Sequence, residues 1–151
     1  MVPDSYLAHI SPDGREQTVE AHLQGTAQLC GGFAAAFGER GRGELLGLAH
    51  DIGKSSEAFQ KRLHGGQKVD HATAGAVECA KIRENAMALC VVGHHGGMPD
   101  FGNPRTDSPG TPTGAGRIKK GLLPGGIPPF HWQGPLPNPG KAPNLDSYAA
   151  A

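Results

Sequence analysis

Apolar positions in the first hundred residues recur at helical spacing. Leu23, Ala27, Cys30, Ala34 and Phe37 follow one another at alternating separations of four and three, which predicts one apolar stripe on a helix over about 18–37. Gly25, Gly31 and Gly32 work against it, because a glycine in a helix interior costs roughly 1 kcal/mol relative to alanine. Close packing against another helix is the expected compensation. A second helix is predicted over 43–52, with Leu45, Leu48, Ala49 and Ile52 inward and Gly53 placed to end it. Ser55 is then expected to cap a short helix reaching about 63, with Glu57 in its first turn favourably placed against the helix dipole. Asp70 reads as the N-cap of a helix running to about 83, with His71 in its first turn, and a fifth helix over 85–92 delivers His94 and His95 at its C-terminal end before Gly96-Gly97. No stretch alternates with the period of a strand, so this part of the chain is predicted to be all-α.

From Pro99 onward the pattern gives way to Pro, Gly, Thr and Asn, and only residues 117–123 read as a further ordered piece. The expected organisation is one helical domain over residues 1–103 and a Pro/Gly-rich tail or truncated linker over 104–151. Composition supports that division. The 151 residues include 24 glycines, spread along the chain, and 13 prolines, ten of them beyond residue 103, while 5% aromatic content limits the core to small and aliphatic side chains.

Charge narrows the partners. Fourteen basic and fourteen acidic residues cancel, so no global positive field draws nucleic acid or an anionic membrane, and phosphate binding must be local. Cys30, Cys79 and Cys90 have no C-x-x-C spacing and are odd in number, which predicts small buried hydrophobes in a reducing compartment rather than a disulfide framework. No apolar run approaches a membrane span, and the first residues lack the regions of a signal peptide. The expectation is a soluble, cytoplasmic protein without a membrane partner.

The chemistry lies in the histidines. His50-Asp51 ends an otherwise apolar segment, and a carboxylate there costs several kcal/mol in lost hydration unless a cation or strong hydrogen bonds compensate it. Together with His22, His71, His94 and His95 the set comprises five imidazoles and one carboxylate, more than one metal ion can use. A histidine-rich set with one carboxylate suits two divalent transition-metal ions such as iron, manganese, cobalt or nickel, with magnesium a further option and Asp51 the bridge. Two such ions are the usual device for hydrolysing phosphate esters. Lys54, one turn on, can set its ammonium against a non-bridging phosphate oxygen, so Asp51 and Lys54 are the candidate catalytic residues. The competing readings are plainer: His22 as a half-buried helix residue, the His94-His95 pair as a surface loop, Lys54 as a solvated lysine. His9, His64 and His131 have no comparable context and are read as structural or surface residues.

The ordered set Glu20-Ala21-His22-Leu23, His50-Asp51-Ile52-Gly53-Lys54, Asp70-His71-Ala72-Thr73-Ala74-Gly75 and Gly93-His94-His95-Gly96-Gly97 resembles the HD nuclease domain of the CRISPR-associated nuclease-helicase of type I interference systems. Tyr6-Leu7-Ala8-His9 and Phe59-Gln60 fit as well, so the resemblance spans about residues 6–103. It implies an HD-domain helical bundle and a metal-dependent endonuclease that cuts the displaced single DNA strand of a guide-RNA R-loop in antiviral defence, working with a helicase domain or subunit and the CRISPR surveillance complex. By the same resemblance, His22, His50 and Asp51 serve one ion, and Asp51, His71, His94 and His95 the other. The family's further aspartate ligand, carried on a later helix, has no matching motif here, although Asp146 stands at a suitable distance, and the helicase's phosphate-binding loop is absent. The expectation is a fragment that stops before the last ligand and the motor. Two alternatives remain open: an HD phosphohydrolase acting on nucleotides, and a non-catalytic metal-binding remnant.

Overall fold

The structure is a computed structural model describing residues 6–103, 105–132 and 134–140; the Asp146 question falls outside them. It opens with a hairpin that periodicity does not predict, β1 (Leu7–Ile10) antiparallel to β2 (Glu16–Thr18). The two strands of four and three residues are too short to display alternation. Their turn carries a recognisable signal, Ser11-Pro12-Asp13-Gly14, in which the Gly14 N–H donates to the Ser11 carbonyl and Gly14 takes a φ of 85°.

Six α-helices follow among the described residues: α1 (Val19–Ala34), α2 (Arg40–Ala49), α3 (Glu57–Leu63), α4 (Ala72–Lys81), α5 (Asn85–Gly93) and α6 (Gly114–Leu122). The fold is mostly helical, as expected, apart from the hairpin. None of these helices is long and apolar enough to cross a membrane.

Helix α1 begins where Thr18 Oγ1 accepts the Ala21 N–H at 3.1 Å. Its buried side is Val19, Leu23, Ala27, Gly31 and Ala34, whereas Cys30 is half-buried and Phe37, on a 3₁₀ turn over Ala35–Phe37, is exposed. The real stripe therefore uses smaller residues than the predicted one, because α2 lies close against it. The glycines permitting that approach sit on α2: a methyl group at Gly47 would overlap the backbone of Ala27, and one at Gly43 the carbonyl of Cys30. On α1 only Gly31 is crowded, by the Glu44 side chain, while Gly25 and Gly32 face open space.

The later helices keep the predicted order with shifted ends. Ser56, not Ser55, caps α3 by accepting the Phe59 N–H, and Ser55 is buried with its hydroxyl near the Ile52 and His131 carbonyls. Asp70 does serve the start of α4, accepting from the Ala72 and Thr73 N–H groups. The helix stops two residues short of 83, where Arg83 takes a left-handed φ of 63°. Of the cysteines Cys79 is buried, but Cys90 is exposed. Helix α5 is apolar nearly all round, so its sequence gives no sign of which face is inward.

Beyond residue 103 the Pro/Gly composition predicts a tail, and the described part of this stretch differs from that expectation. Helix α6 starts three residues before the predicted 117, capped by Thr113, and packs on α4 and α5 through Ile118 and Gly121. Further on, Phe130 pairs with Ser56, and Leu136 joins the core. Composition scores these residues one at a time, whereas their burial depends on a surface supplied by the helices before them.

Two apolar clusters result. One joins α2, α4, α5 and α6 around Ala49, Cys79, Ala88 and Val91; the other joins the hairpin, α1 and α4 around Tyr6, Ala8, Val19, Ile52 and Ala74. Ala49 and Ile52, both fully buried, flank His50-Asp51 in the chain, which fixes that pair between the clusters.

Candidate metal centre

Every candidate ligand except His22 stands at a helix end. Helix α2 finishes at Ala49, earlier than the predicted 52, so His50 is its cap and Asp51 (φ −127°, ψ 23°) has left helical conformation before a 3₁₀ turn over Ile52–Ser55. Gly53 does not act as a left-handed helix stop. It is glycine because a side chain there would collide with the carbonyl oxygen of His71, and the same close approach brings His71, just ahead of α4, to Asp51. His94 and His95 follow α5 directly, and His22 projects from the second turn of α1.

Five of these side chains, all imidazoles, converge on the sixth, the Asp51 carboxylate. Asp51 is 2% exposed. Its Oδ2 lies 2.9 Å from His22 Nε2 and 3.1 Å from His50 Nε2; its Oδ1 lies 3.1 Å from His94, 3.4 Å from His71 and 3.7 Å from His95, each at Nε2. The two oxygens thus face two separate groups, His22-His50-Asp51 and Asp51-His71-His94-His95, each with its donor atoms within 4.8 Å of one another.

The donor set fits cations. His50 Nδ1 donates to the Gly47 carbonyl at 2.7 Å and His94 Nδ1 to the Val91 carbonyl at 2.6 Å, which turns each Nε2 inward. Ring nitrogens then meet head on, His22 with His50 at 3.1 Å and His71 with His95 at 2.7 Å. At most one proton fits between two such nitrogens, so lone pairs accumulate around an already anionic group. Divalent ions, held about 2.1 Å from imidazole nitrogen, relieve that repulsion.

Protonation follows the same geometry. Burial by itself would raise the Asp51 pKa, yet hydrogen bonds from His22, His50 and His94 hold it far below the usual carboxylate range. Burial lowers His71 to about 4, against the attraction of Asp51, and also lowers His95. For His94 burial pulls downward, but its bonds to Asp51 and the Val91 carbonyl outweigh it and the pKa is raised. Metal binding needs neutral imidazoles. His71 is neutral well below neutral pH, whereas His94 keeps its proton to higher pH than an ordinary imidazole, and an incoming ion must displace that proton once it is bound. Affinity should therefore fall as the pH drops through and below the His94 pKa, by up to about tenfold per unit for one displaced proton, with no contribution from His71 until about pH 4. Titration calorimetry in buffers of different ionisation enthalpy reads the released proton directly, and an affinity that is flat between pH 8 and 6 would contradict the assignment.

Two further residues complete the surroundings. Lys54 is buried, not a solvated surface lysine: its Nζ lies 2.9 Å from Asp51 Oδ2, 3.2 Å from His9 Nε2 and 5.5 Å from the Phe59 ring centre. His9, read from sequence as structural or surface, stands on the rim of the centre with its ring edge-on to His22 at 4.8 Å. Only the undetected hairpin could have placed it there. His131 stacks on Tyr6 away from the ligands, and His64 ends α3.

Residues 19–115 match the HD domain family, a span that includes all six converging side chains and Lys54. The chain belongs to the HD domain family. None of the curated proteins is a significant match. HD domains are metal-dependent phosphohydrolases, and the His/Asp cluster of this HD domain is suited to divalent cations. The matched span also runs past residue 103 and into the start of α6.

Proposed function

We propose that this HD domain is a metal-dependent phosphodiesterase that cleaves single-stranded DNA, in the manner of the CRISPR interference nucleases whose motifs its sequence resembles. The observation that carries the reading is the division of Asp51 between two histidine groups, one on each carboxylate oxygen. His22, His50 and Asp51 would hold one ion, and Asp51, His71, His94 and His95 a second. Bound there, a pair of divalent ions supplies Lewis acidity and an activated water.

The chain's own residues do the rest. A cleft of about 680 Å³ begins at His71 and His95 and is lined further out by Lys68, Asp70 and Arg117; with Arg117 paired to Asp70, Lys68 is the cation that faces a phosphate backbone on its approach to the centre. His50 and His94 keep their Nε2 atoms inward through bonds to backbone carbonyls. Lys54, fixed between Asp51 and His9, holds a positive charge at the centre's edge, where negative charge grows on the phosphoryl oxygens as the ester bond breaks. A helicase and the surveillance complex would present the strand.

A second reading has its own support. Helix α6 carries no carboxylate, and among the described residues the first group has three ligands, so a metal-binding remnant without turnover is the alternative. Incubation of the protein with manganese, cobalt, nickel or iron and an end-labelled single-stranded DNA should give cleavage products that EDTA abolishes. Hydrolysis of nucleoside phosphates with the DNA left intact would instead indicate a nucleotide phosphohydrolase, and two bound ions without any hydrolysis the remnant.

A further inference from the structure

Helix α6 lies at the edge of the HD match, and its Arg117 falls two residues beyond the matched span. Its two terminal guanidinium nitrogens are both committed inside the protein. Nη1 donates to the Val92 carbonyl at 2.9 Å; Nη2 donates to Thr73 Oγ1 at 2.9 Å and to both oxygens of Asp70 at 3.3 Å. These acceptors belong to the two segments that carry the second ligand group. Asp70 precedes His71 and anchors the first turn of α4, and Val92 lies two residues before His94.

The contact at Val92 has a clear cause. The last carbonyls of a helix lack intrahelical partners. At the end of α5, Val91 gives its carbonyl to His94 Nδ1, and Val92 gives the next one to Arg117. One rigid fork therefore holds the end of α5 and the start of α4 at a fixed separation, the separation across which His71 and His95 meet at 2.7 Å. The Arg117–Asp70 pair is too open to add much stability, with side chains 31% and 48% exposed, so its consequence is geometric.

We propose that Arg117 is a positioning residue for the Asp51-His71-His94-His95 group: it sets that group's spacing and leaves the His22-His50-Asp51 group untouched. The inference rests on the metal-centre reading above.

The test measures metal content and affinity, without turnover. Cobalt titrations, followed by visible absorption and elemental analysis, are made on the full chain and on Arg117→Ala, in the wild-type background and in backgrounds that disable one group, His22→Ala or His71→Ala. Arg117→Ala should weaken cobalt binding about 10–100-fold where the second group is the intact one, and leave it unchanged where only the first is intact. Arg117→Lys, with a single point of donation, should restore little, and added guanidinium should restore part of the affinity. Ile118→Ala controls for general loosening of α6, since Ile118 is its buried core residue and faces no ligand. If Ile118→Ala weakens binding as much at equal thermal stability, or Arg117→Ala acts alike on both groups, the positioning role is overturned. A wild-type chain that takes up no metal removes the centre and this inference together; a wild type with two ions and an unaffected Arg117→Ala removes this inference alone.

Discussion

Replacing Asp51 by Asn should empty both halves of the centre at once and destabilise the metal-free protein. The first effect follows from the sharing of the carboxylate. Oδ2 serves His22 and His50, Oδ1 serves His71, His94 and His95, and an amide offers only one oxygen and no charge. Affinity at both groups should fall by more than the roughly 10–100-fold typical of losing a residue that only orients a metal ligand. The second effect comes from Lys54. Its side chain, 4% exposed, would remain buried opposite a neutral group, and breaking a buried pair from one side costs about 3–5 kcal/mol. For a domain of this size that corresponds to a melting temperature lower by roughly 6–20 °C. Elemental analysis and scanning calorimetry check the two effects separately. His131→Ala, stacked on Tyr6 and remote from the ligands, should leave metal content unchanged. An Asp51→Asn protein that retains two ions would refute the shared-carboxylate arrangement.

Lys54→Met should move binding and turnover in opposite directions. The ammonium sits 2.9 Å from the Asp51 oxygen that faces His22 and His50, where it repels any cation bound there, so its removal should tighten metal binding. Turnover should nevertheless fall about 10²–10³-fold in kcat, the usual cost of losing one well-placed donor from a transition-state site. A change that merely loosened the fold would weaken both. Methionine keeps most of the length and packs against Phe59, and in the Asp51→Asn background it should recover much of the lost metal-free stability by removing the unpaired charge. Tighter metal binding with an unchanged kcat on the cleaved substrate would show that Lys54 plays no part in the chemistry.

How far the chain could be read from sequence differs from element to element. Five of the six described helices were legible in order from periodicity and capping residues, as was the start of the sixth within three residues. The hairpin was not, because strands of four and three residues carry no measurable alternation. The glycines on α1 were visible, but those that matter for packing, Gly43 and Gly47, lie on α2, and only the partner helix shows why. The six candidate ligands were named by residue type and local context, and one turn of error at a helix end did not disturb them. Lys54 could be named too, yet its burial could not, since it depends on the hairpin and on Phe59 closing over it.

By itself the sequence determined a mostly helical chain and membership of the HD domain family, and it singled out by residue type the candidates for holding cations. Local interactions suffice for this, because helical periodicity and donor chemistry are properties of short segments. Only the tertiary structure decided which carboxylate oxygen faces which imidazoles, that His9 reaches the rim of the centre, and that Arg117 ties its two sides together. Those facts depend on contacts between segments tens of residues apart, whose distances are set by the packing of α4, α5 and α6 around a common core.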